Sequence, residues 1–205
     1  MADVKLAVIY YSSTGTLHGM AQRIVAAGEK AGAEVRLRQV AELAPDEAIA
    51  SNAAWSQHFD RTKNEPKATA DDIVWADAVL FGTPTRYGNV ASQLKQFIDT
   101  LGPQWQQGLL ADKVYAGFTA SQTAHGGQES TLLSLYNVIH HWGGIVAAPG
   151  YTDPLKFADG NPYGVSHVTG PSNDAPLTAE VEQALDHLAG RVITVAGRLK
   201  AGSAA

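Results

Sequence analysis

The 205-residue chain contains no cysteine. That excludes disulfides, thiolate zinc sites, iron–sulfur clusters and a cysteine nucleophile. It also has no run of basic residues. Fifteen lysines and arginines against twenty aspartates and glutamates give a formal net charge of −5. Such a chain lacks the electrostatic footprint of a nucleic-acid binder. No stretch approaches the ~18 consecutive apolar residues of a membrane span. The opening MADVKLAVIYYSSTG passes from a short apolar run straight into a turn, without the layout of a signal peptide. We therefore expect no membrane span, no nucleic-acid partner and a cytoplasmic location. Charged residues are scarce at 17%, but 45% of the chain is hydrophobic, so disorder is excluded. At ~100–200 residues per domain, one domain over 1–205 is expected. Internal repeats, low-complexity tracts and linkers are all absent.

Apolar runs and helical spacing alternate along the chain. Residues 4–11 are apolar except for Lys5, as in a strand buried on both faces. Residues 16–31 show helical spacing of Leu17, Met20, Ala21, Ile24 and Val25, and 34–40 read as a second strand. The same alternation predicts strands at 76–83, 112–120 and 144–148, with helices at 90–101, 129–142 and 179–200. The polar segment 41–72 reads as an insertion holding a short helix and a loop. Segment 151–176, rich in Gly, Pro, Asn and Asp, reads as a long connection of the kind that is usually functional. The expected fold is α/β: a doubly wound, five-stranded parallel sheet with helices on both faces.

In such sheets ligands sit beyond the carboxyl ends of the strands. That selects three loops: Ser12–Leu17, Thr83–Asn89 and Thr119–Gly127. In the first, SSTGTL, hydroxyls, a flexible glycine and the free N–H groups of a helix start form an anion site without Lys or Arg. An ordinary helix cap would read the same way. The usual nucleotide and hydrolase signatures are missing: no GxxxxGK followed by Ser or Thr, no GxGxxG after the first strand, no GxSxG. In TPTRYGN, Pro84, Gly88 and Asn89 suit a rigid turn whose amides can face a planar ring, with Tyr87 lining it and Arg86 at the rim. Arg86 is equally readable as a surface arginine. The third loop, TASQTAHGGQ, offers small side chains, paired glycines and His125, which alone would read as a solvated loop histidine.

YYSSTGT, GTPTRYGN, the GGQE after the fourth strand and the His140–His141 pair together resemble the WrbA-type NAD(P)H:quinone oxidoreductases, which are flavodoxin-like FMN enzymes. The resemblance implies that the FMN phosphate sits on Ser12, Ser13, Thr14, Gly15, Thr16 and Leu17. It implies that the isoalloxazine lies against Thr83, Pro84, Thr85, Arg86, Tyr87, Gly88 and Asn89, and against Ser121, Gln122, Thr123, Ala124, His125 and Gly126. His140 corresponds to a histidine near the flavin and is a candidate proton donor. Trp105 and Thr14 fall on the substrate side. Without the resemblance, Trp105 reads as a loop anchor and His140 as a helix C-terminal residue favoured by the dipole. The implied activity is two-electron transfer from NADH or NADPH through FMN to a quinone, ping-pong, in a homotetramer without metal. A one-electron carrier of the flavodoxin type and a non-catalytic FMN-binding regulator are the alternatives.

Overall fold

The computed structural model of the chain describes residues 3–202. Residues 1–2 and 203–205, the ends of the expected domain, lie outside the described residues. Strand β1 (Lys5–Tyr10) shows why the apolar runs are continuous. Leu6, Val8 and Tyr10 enter one hydrophobic layer, while Ala7 and Ile9 enter the other. A strand covered on both faces has no polar alternation to display. The elements that follow are α1 (Thr16–Lys30), β2 (Glu34–Gln39), α2 (Asp46–Ala50), α3 (Ala53–Thr62), α4 (Ala70–Trp75) and β3 (Ala78–Pro84). After them come α5 (Ser92–Asp99), α6 (Gly102–Gln106), β4 (Val114–Ser121), α7 (Gln128–His141), β5 (Ile145–Val146), α8 (Lys156–Asp159), β6 (Val165–Val168) and α9 (Ala179–Gly202).

The sheet order is β2-β1-β3-β4-β5, all parallel, with β6 also beside β4. The expected five-position parallel sheet is present, and its fifth position is shared. β5 pairs with Val114 and Tyr115 at the start of β4. β6 pairs with Phe118–Ser121 at its end. Helices α1 and α9 cover one face, while α4, α5 and α7 cover the other. Gly82 of β3 permits this packing, because a Cβ there would lie 2.3 Å from the Phe118 ring of β4.

Four expectations change. Segment 41–72 holds three helices rather than one. Asn52 starts α3 by accepting from Ala54 N–H and Trp55 N–H, and Thr69 with Asp72 forms a capping box for α4. Segment 151–176 is not structureless: it carries α8 and β6. β4 begins at Val114 rather than residue 112, since Asp112 has φ +59°, outside extended geometry. Trp105 lies in the short helix α6 rather than in a loop. Between β5 and β6, Lys156 and Asp159 form an ion pair of 2.6 Å with both side chains fully buried. Lys156 Nζ also donates to Gly164 O at 3.0 Å.

Candidate functional site

The loops leaving β1, β3 and β4 meet around a cavity of about 540 Å³ at the carboxyl edge of the sheet. β1 and β3 are where the chain reverses direction across the sheet, the position that favours ligand crevices.

The first loop contributes Ser12, Ser13, Thr14, Thr16 and Leu17 to the cavity. Gly15 precedes α1 at φ +111°, a conformation that side chains rarely adopt, and no side chain caps the helix start. The ordinary-cap reading of SSTGTL therefore fails. Ser12 Oγ accepts Gly15 N–H at 3.0 Å, which leaves the Ser12 hydroxyl hydrogen free to donate. The first N–H groups of α1 and the loop hydroxyls thus form a donor set with no cation in it, suited to a phosphate.

The second loop contributes Pro84, Thr85 and Arg86. Arg86 and Asn89 exchange backbone hydrogen bonds of 2.8 and 3.1 Å, and Tyr87 and Gly88 both have positive φ. This is a closed, rigid two-residue turn. Thr85 N–H donates to Ala120 O, tying the loop to β4. Thr119 Oγ1 donates to Thr83 O, and Thr83 Oγ1 accepts Ala91 N–H. Among the described residues, Arg86 is the one charged side chain lining the cavity.

The third loop contributes Ser121, Gln122, Thr123 and Gly126, with Ala120 at the end of β4. Ser121 Oγ donates to Thr123 O at 2.7 Å, and Gln128 Nε2 donates to the same carbonyl. A Cβ on Gly126 would lie 2.7 Å from that of Ser121, so the tight fold of this loop requires glycine there.

In a smaller neighbouring cavity that shares Ser12 with this one, Tyr11 donates to Glu42 at 2.8 Å. Burial, reinforced by Glu42, pushes the Tyr11 hydroxyl far up. Burial works to raise the Glu42 carboxyl, but donors from Gln93, Ala44 N–H, Tyr11 and Trp55 outweigh it and hold it below its usual value. Tyr11 is thus a fixed neutral donor, and Glu42 a fixed anion that is already fully engaged.

The structure therefore gathers many of the expected residues but not all. Gly15 faces an adjoining cavity instead. Thr83 is buried behind the second loop. Tyr87, Gly88 and Asn89 form the tip of their turn, and Tyr87 is fully exposed. Ala124 and His125 do not line the cavity. Sequence reasoning missed Asn52, Thr169 and Asn173, which do. Thr169 N–H donates to Ser121 O, Thr169 Oγ1 donates to Asn173 Oδ1, and Asn173 Nδ2 donates to Thr14 Oγ1. This chain of bonds joins the third loop to the first. The only signal for it in the sequence was the length and turn-rich composition of segment 151–176.

His140 and Trp105 lie at the other end of the sheet. Helix α7 starts where Gly127 abuts Gly88 and ends where Gly144 meets Tyr115, at the beginning of β4. Fourteen residues at ~1.5 Å each carry it roughly 20 Å away from the loops. Trp105 stacks on His141 there, with ring centroids 5.6 Å apart. Helices that follow strands of a parallel sheet return to the amino edge, so one copy of the chain does not bring these two residues to its own cavity. Among the described residues, no group of three or more His, Asp or Glu side chains could hold a metal ion.

A family model described as NADPH-dependent FMN reductase matches residues 4–152. A Deinococcus radiodurans protein named NAD(P)H dehydrogenase (quinone) is 45% identical over 199 residues, covering 97% of this chain and 98% of that protein. A Geotalea daltonii protein of the same name is 37% identical over 202 residues, covering 96% and 98%. Among solved structures, a flavodoxin, WrbA-like protein from Agrobacterium tumefaciens superposes with a TM-score of 0.65 at 22% identity, covering 96% and 99% of the two chains. That last likeness speaks for the fold.

Proposed function

The chain belongs to the NADPH-dependent FMN reductase family, with relatives named NAD(P)H dehydrogenase (quinone), and we propose that it reduces quinones with NADH or NADPH through FMN held in the three-loop cavity. The observation that carries this reading is the cation-free donor cradle of Ser12–Leu17, opening directly into a slot between two rigid loops. When bound, FMN supplies the hydride-accepting and hydride-donating chemistry. Ser12, Ser13, Thr14, Thr16 and Leu17 hold its phosphate. Pro84–Arg86 on one loop and Ser121, Gln122, Thr123 and Gly126 on the other would hold its ring system, and Arg86 would place a fixed positive charge where negative charge gathers. The neighbouring Tyr11 and Glu42 neither gain nor lose protons near neutrality. The relatives named NAD(P)H dehydrogenase (quinone) favour this reading over a one-electron carrier. The seat admits nicotinamide and quinone in turn, so initial rates of NADH oxidation with benzoquinone should give parallel double-reciprocal lines. Intersecting lines would mean that both substrates bind together.

The same reading makes the enzyme a cytoplasmic homotetramer built from one flavodoxin-like domain per chain. Among the described residues, no helix is long and apolar enough to cross a membrane. Trp105 is 47% exposed, and Tyr151 and Phe157 stack on each other on the surface, at 4.7 Å between centroids. Aromatics exposed in this way suit an interface. Trp105 and His140 reach a flavin only if it belongs to another copy, with His140 then placed to donate a proton to the quinone oxygen. Sedimentation at micromolar protein should show an assembly strengthened by FMN. Trp105→Ala should raise KM for the quinone several-fold. A monomer with undiminished quinone reductase activity would overturn this part of the proposal.

A further inference from the structure

Behind the Ser12–Leu17 loop, four titratable side chains pack together that quinone reduction does not use. The Tyr10 hydroxyl donates to Glu65 at 2.7 Å and lies 2.6 Å from His18 Nδ1. With its proton committed to Glu65, the Tyr10 oxygen accepts from His18, which assigns the Nδ1–H tautomer to that ring. The His18 ring meets the His58 ring edge-on, with centroids 5.4 Å apart. His58, on α3, is only 2% exposed, and its Nε2 has no hydrogen-bond partner. Native structures rarely leave a buried polar atom in that condition without a reason.

The other ring nitrogen of His58, Nδ1, faces the loop and lies 3.4 Å from the point where a Cβ on Gly15 would sit. The imidazole thus packs at ordinary van der Waals distance from the point where a side chain on residue 15 would begin. It lines a second cavity of about 220 Å³, which shares Ser12 with the main one. The loop itself contains no lysine or arginine. A phosphate dianion on the loop would bring two negative charges close to this ring, with only backbone dipoles and hydroxyls to meet them.

We propose that His58 is a positioning residue for phosphate recognition: it takes up a proton when the FMN phosphate docks on Ser12–Leu17 and supplies the counter-charge that the loop lacks. The inference rests on the assignment of FMN to this cavity. The groups around the ring are mixed. His18 from α1, Arg61 from α3 and Lys67 beyond α3 oppose a proton on His58, whereas Glu65 favours it. Lys63 lines the same small cavity. Burial dominates and pushes the imidazole down to about 4, so without a nearby anion it is neutral near pH 7. A nearby anion acts in the opposite sense, because it favours the charged form. The sign follows from linkage. The gain in FMN affinity is fully present below the pKa of the empty protein. It is lost as pH rises through the higher pKa of the FMN-bound protein. Each pKa unit gained on binding corresponds to about tenfold in affinity for FMN.

The test is to follow the His58 imidazole of the wild-type protein by NMR between about pH 4 and pH 8, alone, with FMN and with riboflavin. The midpoint should rise by about 2.5 units from its value of about 4 with FMN and stay in place with riboflavin, which has no phosphate. In parallel, flavin fluorescence quenching at about pH 5.5 should show His58→Gln weakening FMN about tenfold while riboflavin changes less than about twofold. The riboflavin arm removes any contribution from general damage to the fold. FMN that binds without moving the His58 midpoint overturns the proposal, as does a variant that loses FMN and riboflavin equally. If FMN fails to bind the wild-type protein at all, the assignment of the cavity falls first, and this inference falls with it.

Discussion

Valine at position 15 should weaken FMN binding on the order of a hundredfold, while the chain still folds. Gly15 holds φ +111° at the start of α1. A non-glycine residue held in such a region costs about 1–3 kcal/mol. Valine adds branched carbons where the space is already taken, since even a Cβ would touch His58 at 3.4 Å. The loop escapes by rotating its peptides, which turns the N–H groups of the loop away from the phosphate. About 3 kcal/mol lost at one site is roughly a factor of a hundred in Kd. Thr16→Ser retains both hydroxyl and backbone, so its effect should stay within about threefold. FMN titration by fluorescence, with circular dichroism as the check on folding, measures both. Equal affinities for the two variants would remove the phosphate from this loop.

The second large effect concerns stability. Asp159→Ala leaves the Lys156 ammonium buried with only the Gly164 carbonyl for company. Breaking a fully buried pair in this way costs about 3–5 kcal/mol. Replacing both partners together, Lys156→Met with Asp159→Leu, should recover most of that loss, because neither charge is then left behind. Burial already lowers Lys156 in the wild type, ahead of the opposing effect of Asp159. With the partner gone, the folded state binds its proton still less readily than the unfolded chain does. Stability of the single variant should therefore climb as pH rises toward the ordinary lysine range. Urea unfolding at two pH values reads out both effects. A single variant that loses less than about 1 kcal/mol would show the pair to be dispensable.

Much of this architecture was legible in the residues. The runs at 6–11 and 78–83 carry no charged residue because both faces of β1 and β3 are covered, and a covered parallel sheet produces such short apolar runs. Once the strands are placed, the three ligand loops follow from topology. Segment 41–72 was harder. α2 and α4 have five and six residues, too few for a period to emerge, and their starts depend on Pro45 and on the Thr69–Asp72 box. β6 was hidden for a different reason. Pro162 and Gly164 adjoin it, and the strand exists because the end of β4 offers an open edge. Asn52, Thr169 and Asn173 arrive at the cavity from those same obscure segments. Trp105 and His140 carry the opposite lesson. Resemblance places them near a flavin, and because the direction of α5 and α7 sends them to the far edge of their own sheet, that flavin would have to be a neighbour's, as the resemblance already implies for Trp105.

The divided fifth strand has a kinetic meaning. The outer edge of β4 answers to two different stretches of chain. Its first half is sealed by Ile145 and Val146, which follow directly from α7. Its second half, which feeds the Ser121–Gly126 loop, is sealed by Val165–Val168, beyond the excursion anchored by Lys156 and Asp159. If that excursion lifts, Phe118–Ser121 loses its neighbour and Thr169 releases Ser121, while the rest of the sheet stays paired. Local openings of this kind have their own free energy, below that of global unfolding. The residence time of a cofactor held in the cavity would then depend on how often the excursion lifts. It can be lengthened or shortened by residues, such as Asp159, that line no part of the cavity.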